Sequence, residues 1–256
     1  MTRRRALLVI VVLACAAPAK AERLTVAVST PEIAINSNFT GAPVTVFGVI
    51  EPDAARPVAA DTHYSVAIVV LGPSETVVAR RKDRVVGIWL NTASRTIGGA
   101  PSFYVLSASG AADTLANSAV LQRLQIGVDN VGFVYVGQSV ATDPETLEFR
   151  DAFQRLKRDG GLYTETTGVN FIGNAIFRST TFLPANIPVG RYTVLAYVFA
   201  GGELIARAED KIDVTKTGFE GSMAAFARNQ SLIYGIICAA LALFVGWAGG
   251  VVFSRD

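Results

Sequence analysis

Acid–base or metal chemistry in this chain would have to use its single histidine, His63. Asp61 stands two positions before it, but alternate residues of a strand share a face so routinely that this spacing indicates no catalytic pair. A catalytic triad or metal centre draws on more such residues, and no GxxxxGKS/T or GxGxxG phosphate-binding pattern follows a strand-like segment. We therefore expect no enzyme activity, no catalytic residue, no metal site and no cofactor. A hydrolase that depends on His63 is the enzymatic alternative.

A cluster of basic residues is the second feature with chemical potential. It surrounds Asp83 and consists of Arg80, Arg81, Lys82 and Arg84, which we call the basic patch. Such a cluster can bind an anion, a lipid headgroup or an acidic partner protein. The alternative is a solvated connection between two strands.

An uncharged apolar segment from Leu232 to Phe253 is the third feature. As a helix it would reach ~33 Å, which matches a hydrocarbon core of about 30 Å and predicts a transmembrane helix. Small residues recur along it at alternating steps of four and three, a spacing that lets another helix approach closely. This small-residue stripe is a candidate helix–helix interface, with plain lipid anchoring as the alternative: Gly235, Ala239, Ala242, Gly246 and Gly249.

The N-terminus has the layout of a secretory signal. Three arginines at positions 3–5 precede an apolar run, and Ala19-Lys20-Ala21 forms a small-x-small cleavage site, so we predict removal of residues 1–21. Lipoprotein processing at Cys15 is the alternative. With a cleaved signal we expect the following domain outside the cytoplasm, in a bacterial periplasm, with a single pass through the inner membrane and residues 254–256 as a cytoplasmic tail.

Charge and cysteine content narrow the function classes further. Removal of residues 1–21 takes four of the 23 basic residues and no acid, which leaves 19 basic against 21 acidic residues. Nucleic-acid binding therefore loses its electrostatic basis. The two cysteines, Cys15 and Cys238, lie in the signal and in the apolar segment, so we expect the exported part to fold without a disulfide.

Alternating apolar and polar residues predict short antiparallel strands over much of the exported part. The expected strands are 24–28, 32–35, 44–50, 64–71, 76–79, 85–90 and 103–106, followed after a helical part by 131–136, 171–172, 176–183, 192–199 and 204–214. The unbroken apolar run from Tyr64 to Leu71 predicts a central strand covered on both faces. Gly201-Gly202 predicts a tight hairpin. Tyr192, at a strand entrance, has the position of the tyrosine corner of immunoglobulin-like sandwiches.

Helical spacing replaces the alternation between 111 and 168. Leu115 to Leu124 predicts one helix that stops at Gly127, and residues 144–159 predict another, with Asp143 as its cap and Pro144 at its first position. Its apolar stripe should pack against the sandwich, or alternatively meet a partner protein: Phe149, Ala152, Phe153 and Leu156. Residues 216–231 form a stem, either an amphipathic helix at the lipid surface or a plain connection.

Together these elements predict an immunoglobulin-like antiparallel β-sandwich with a helical insertion, followed by one C-terminal transmembrane helix. The expected division is a signal peptide (1–21), a periplasmic domain (22–215) with its insertion at about 111–168, a stem (216–231), the span (232–253) and the tail. Whether 22–215 folds as one sandwich or as two small domains stays open.

Four passages in combination also carry a family resemblance: RRKDRVVGIWLN (80–91), PSFYVLSAS (101–109), FRDAFQRLKRDGGLY (149–163) and LPANIPVGRYTV (183–194). With the terminal anchor, the chain resembles an alphaproteobacterial family of transmembrane proteins of unknown function. The resemblance implies a Gram-negative inner membrane and carries over no active-site residue. It also nominates a permease of the sulfite-exporter type as a partner class.

An anchor, an adhesive fold type and the lack of a catalytic set favour a protein-interaction or accessory module, for example an accessory subunit of a membrane transporter. Its partners would be the lipid bilayer and either another membrane protein or a second copy, through the transmembrane helix. The alternative is a tethered domain that binds or senses a small ligand, with its pocket between the sandwich and the helix that contains Phe149.

Overall fold

The computed structural model describes residues 22–51, 63–136 and 143–253. Within these ranges the strands are β1 (Arg23–Val28), β2 (Glu32–Ile35), β3 (Gly41–Glu51), β4 (Tyr64–Leu71), β5 (Ser74–Val85), β6 (Ile88–Pro101), β7 (Tyr104–Ala108), β8 (Val134–Val136), β9 (Tyr163–Thr166), β10 (Val169–Ile172), β11 (Ile176–Pro184), β12 (Gly190–Ala200) and β13 (Glu203–Lys216). The helices are α1 (Ala112–Leu115), α2 (Ser118–Leu124), a 3-10 helix (Val128–Asn130), α3 (Pro144–Asp159), α4 (Phe219–Asn229) and α5 (Ser231–Phe253).

Two sheets pack face to face as a β-sandwich, which confirms the predicted fold class. The smaller sheet has the order β1-β3-β11-β10 and the larger one the order β2-β13-β12-β4-β7-β9. Alternate residues of each strand point into the core between them, where Val46, Phe177, Ile68 and Val194 have no exposed surface. Neighbouring strands are antiparallel except in two pairs at opposite edges of the larger sheet, β2 with β13 and β7 with β9, which are parallel.

The larger sheet is covered on its second face as well. Tyr104, Leu106, Tyr197 and Phe199 belong to a second buried cluster, packed against the helical segment and a third sheet of order β5-β6-β8. Burial from both sides explains the unbroken apolar run of β4, whose central position between β12 and β7 confirms the prediction.

The predicted strand at 85–90 is wrong. β5 ends at Val85, and the chain reverses through Val86 and Gly87, whose φ angles are 50° and 85°. Positive φ at both central residues is what a tight two-residue hairpin turn requires, and a valine there conceals the turn from a pattern of apolar residues. The second arm of the hairpin, β6, runs on to Pro101 through mostly polar and small residues.

The helical segment contains helices near both predicted positions, but the strand predicted at 131–136 is only the short β8 (Val134–Val136), and β9 was not predicted. Two short helices, α1 and α2, replace the single helix expected before Gly127, and Gln125 ends α2 in a left-handed conformation with φ 55°. Pro144 does occupy the first turn of α3. The predicted capping role of Asp143 is wrong, because its carboxylate accepts the hydroxyl hydrogen of Thr146 at 3.3 Å and bonds no backbone amide of the helix.

Two local predictions near β12 are confirmed. The Tyr192 hydroxyl donates to the carbonyl oxygen of Pro188 at 2.7 Å, which is the upstream backbone bond of a tyrosine corner. Gly201 and Gly202 have φ angles of 59° and 83° and form the tight turn between β12 and β13.

The C-terminal part consists of the stem helix α4 and the long helix α5. Residues Ser231–Val251 have a mean hydropathy of 2.1, and none of the window is buried, so α5 is a candidate membrane span. Phe226 of α4 contacts Tyr234 of α5 edge to face, with ring centroids 6.1 Å apart. The predicted signal, Cys15 and the three-residue tail lie outside the described residues.

A candidate docking groove beside an open strand edge

The β5–β6 hairpin is a continuation of the larger sheet. The Gly72 amide donates to the Phe103 carbonyl at 2.8 Å, and the Ser102 amide donates to the Pro73 carbonyl at 2.9 Å. These two bonds join the β4–β7 ladder to the β5–β6 ladder without a break. The hairpin therefore leaves the sheet in the direction in which β4 runs.

A groove of about 450 Å³ lies between β5 and α3. On one side it is lined by the six consecutive residues from Val77 to Lys82, and on the other mainly by the apolar stripe of α3. Alternate residues of a strand point to opposite faces, so lining by consecutive residues means that the edge of β5 borders the groove. Within the described ranges β5 pairs with β6 alone, which leaves this edge without a strand partner.

Lys157 of α3, the residue after the groove-lining Leu156, contacts the base of the hairpin. Its ammonium group donates to a carboxylate oxygen of Glu75 and to the Ser102 carbonyl oxygen, the latter at 3.2 Å. The same ammonium lies 5.5 Å and 5.8 Å from the ring centroids of Phe153 and Tyr163, within the range of cation–π attraction. These contacts hold the C-terminal end of α3 against the base of the hairpin.

The other end of α3 is held by arginines of the hairpin. Arg81 pairs with Glu145 at 3.7 Å and with Glu148 at 3.3 Å. Arg95 of β6 also pairs with Glu145, and its guanidinium lies 5.7 Å from the ring centroid of Phe149. Because both ends of α3 are attached to β5 or β6, the two walls of the groove keep their separation.

The apolar stripe predicted on α3 divides between core and groove. Phe149 and Phe153 are each 5% exposed and confirm the expected packing against the domain. Leu156 is 70% exposed and lines the groove together with the partly buried Ala152. One turn of the stripe is therefore free to contact another molecule.

The four residues of the basic patch have different surroundings. Arg81 is taken up by α3, and Arg84 donates to the Gly87 carbonyl oxygen at 3.4 Å. Arg80 and Lys82 are exposed at the rim of the groove, and neither forms an ion pair with a carboxylate in the described part of the chain. The groove thus combines apolar walls with a cationic rim.

The other predicted site residues lie elsewhere. The small-residue stripe follows one side of α5, and a methyl group added at Gly235, Gly246 or Gly249 would meet no described atom within 4 Å. His63 is exposed at the start of β4, and Asp61 lies outside the described residues. Among the described residues, no three His, Cys, Asp or Glu side chains come together as a metal site.

Three buried tyrosines are the most perturbed titratable groups near the groove and the core. Burial raises the pKa of Tyr192 to about 12, against a usual value of 10.0. Burial also raises the pKa values of Tyr104 and Tyr163, whose hydroxyls donate to the Gln125 and Pro101 carbonyl oxygens at 2.9 Å and 2.6 Å. All three hydroxyls act as structural hydrogen-bond donors.

The sequence predicted the basic patch and the apolar stripe of α3, but not the ion-pair partners that attach α3 to the hairpin. Glu75, Lys157, Glu145 and Glu148 had no signal beyond their charge, since each acts through residues at least 50 positions away. The edge of β5 was hidden because its second strand, β6, was not predicted.

The chain matches one known family of transmembrane proteins over nearly its whole length. The family described as "Putative transmembrane protein (Alph_Pro_TM)" matches residues 23–255, which confirms the resemblance drawn from the four passages. Among solved structures the chain is similar to AggA, the major subunit of aggregative adherence fimbriae type I from Escherichia coli, at 11% sequence identity. That likeness covers 77% of this chain and 97% of AggA, with a TM-score of 0.26. No curated protein matches the chain.

Proposed function

We propose that this chain, which belongs to the family of transmembrane proteins matched over residues 23–255, is a membrane-anchored accessory protein. Its β-sandwich binds an extended segment of another membrane protein on the periplasmic side of an inner membrane. The candidate span at Ser231–Val251 supports the anchor, and the signal pattern at residues 1–21 supports the orientation.

The open edge of β5 carries the proposal. A strand edge presents unpaired N–H and C=O groups, and proteins normally cover or charge such edges because another strand can pair with them. Here the edge borders an apolar groove, so an added strand would gain main-chain hydrogen bonds from β5 and side-chain contacts from α3. This combination is the basis of peptide recognition by strand addition.

The groove also defines the chemistry of its occupant. Leu156 and Ala152 offer apolar contacts along one wall, and an extended segment with apolar residues at every second position would fill them. Arg80 and Lys82 lie at the rim, and neither forms an ion pair with a carboxylate of the described residues. An acidic residue in the bound segment would therefore pair with them. A permease of the sulfite-exporter type is the partner class that the family resemblance nominates.

Affinity purification after crosslinking in native membranes tests the proposal. We expect the full chain to recover a stoichiometric membrane protein, and Ala152→Trp, which fills the groove, to lose it. Ala27→Trp is the matched control, because Ala27 is exposed on β1, in the smaller sheet. Repeated recovery of the chain alone, or equal recovery with both tryptophan variants, would contradict binding through the groove.

A small anionic amphiphile is the second candidate occupant, because the groove volume of about 450 Å³ lies within the usual range for ligand sites. An apolar tail would lie along α3, with its anionic group near Arg80. A ligand that binds only the native state must raise its melting temperature. Decanoate should therefore raise the melting temperature of the full chain in nanodiscs but not that of Ala152→Trp. An equal change in both would exclude this site.

A further inference from the structure

The turn of the β5–β6 hairpin exposes an apolar surface that the groove does not use. We call residues 85–90 the hairpin tip. Val86 is 95% exposed, Trp89 67% and Ile88 64%, and Leu90 and Val85 are 49% and 42% exposed. Large apolar side chains grouped at one exposed place mark a site of contact with another protein or with a membrane.

The strand register gives this tip two distinct faces. Arg84 lies opposite Trp89, and Lys82 lies opposite Asn91, so these residues share one face of the ribbon. Val85 lies opposite Ile88 on the other face, where Asp83 lies opposite Leu90 and its carboxylate pairs with Arg81 at 3.3 Å. One side of the ribbon is therefore cationic and aromatic, while on the other side Val85, Ile88 and Leu90 form an apolar end beyond the paired Asp83.

The position of the hairpin relates this tip to the bilayer. Leu71 at the end of β4 is paired with Thr193 of β12, which is paired with Lys211 of β13. Both pairings are antiparallel, so β13 runs in the same direction as β4 and continues to Lys216, where the stem begins. The hairpin and the stem thus leave the same end of the larger sheet. With 12 residues in β5, the hairpin can reach about 40 Å from that end.

We propose that the hairpin tip inserts into the headgroup region of the same bilayer that α5 crosses. Trp89 lies at the interface, where tryptophan is enriched in membrane proteins, and Val86 and Ile88 enter the upper acyl region. Lys82 and Arg84 bind anionic headgroups. Lys82 also lines the groove, but Arg84 and residues 85–90 do not, and the inference does not require an occupant in the groove.

The occupant is a lipid surface because charge and amphipathicity occur together at the tip. A protein pocket for Ile88 and Trp89 would gain little from two flanking cations, whereas an anionic bilayer satisfies both the apolar and the cationic groups at one depth. This second anchor point would fix the orientation of the domain relative to the membrane. With α5 as the only anchor, that orientation would depend on the stem alone.

Fluorescence quenching in nanodiscs tests this proposal with the full chain. The chain has two tryptophans, so Trp247→Phe leaves Trp89 as the only tryptophan. One copy per nanodisc of phosphatidylcholine and phosphatidylglycerol excludes contact with a second copy. We expect lipids brominated near the headgroup to quench Trp89. Unquenched, water-like emission would overturn the proposal, and emission quenched only in discs with two copies would assign the tip to self-association.

The charge contribution has its own variant and control. Each cation close to an anionic surface favours binding by about fivefold, so Lys82→Gln with Arg84→Gln should lower the ratio of docked to undocked tip about thirtyfold. Arg123→Gln with Arg178→Gln removes two exposed arginines elsewhere and should leave quenching unchanged. Equal effects of the two double variants would refute headgroup binding at the tip. Ala152→Trp should not alter quenching, which separates this test from that of the groove.

Discussion

Replacement of Lys157 by methionine should loosen the attachment of α3 to the hairpin. The lysine side chain is 13% exposed and that of its partner Glu75 34% exposed, so the pair is neither fully buried nor at the surface. Exposed ion pairs contribute at most about 1 kcal/mol, whereas removing one partner of a buried pair costs about 3–5 kcal/mol. Methionine keeps the apolar part of the lysine side chain, and the carboxylate of Glu75 can still be solvated. We therefore expect a loss of about 2 kcal/mol in the free energy of unfolding.

Urea unfolding of the full chain in detergent, followed by near-ultraviolet circular dichroism, measures this loss. Arg158→Met is the matched control on the same helix, because the Arg158–Asp129 pair is exposed, with side-chain exposures of 45% and 83%. Its loss should stay below about 0.5 kcal/mol. A double-mutant cycle with Glu75→Gln should give a coupling of about 1–2 kcal/mol between positions 75 and 157. Equal losses for the Lys157 and Arg158 variants would refute the assigned role of Lys157.

Three further predictions concern the core, its pH dependence and the span. Tyr192→Phe removes the bond to Pro188 and should lower the free energy of unfolding by about 1 kcal/mol, measured by urea unfolding; no change would contradict a tyrosine corner. The unfolded chain loses the Tyr192 proton near pH 10, but the folded chain keeps it to about 12, so Tyr192 should lower the free energy of unfolding by about 1.4 kcal/mol per pH unit between those values. Tyr104 and Tyr163, whose pKa values burial also raises, should add to this fall. Urea midpoints that stay constant over this window would disprove the shift. Gly246→Leu with Gly249→Leu should abolish helix association in membranes, measured by energy transfer; unchanged transfer would leave α5 as an anchor alone.

Local patterns predicted the elements whose residues decide their own conformation. The alternation in β1 and the apolar run of β4 follow from burial on one face and on both faces, and each was predicted within one residue. The tyrosine corner at Tyr192 and the turn at Gly201-Gly202 were predicted from residue type and position. In each case the deciding interactions lie within a few residues along the chain.

Features that depend on distant contacts were not predictable. β6 passes through Asn91, Thr92, Ser94 and Arg95, and such polar residues form a strand here because the facing strand β5 fixes the register. The groove exists because Lys157 meets Glu75 across 82 positions of sequence. The sequence did contain one signal of the groove, because the apolar stripe of α3 continues to Leu156. Only Phe149 and Phe153 of this stripe are buried, and Leu156 is left exposed.

Site-specific photo-crosslinking in native membranes tests the central proposal most directly. A photoreactive phenylalanine derivative at Ala152, in the wall of the groove, should form one adduct with a membrane protein, and peptide mapping should locate it in an extended segment with alternating apolar residues and an acidic residue. The same group at Ala27 should form no such adduct. No adduct at Ala152, or the same adduct at both positions, would contradict a partner segment bound beside β5.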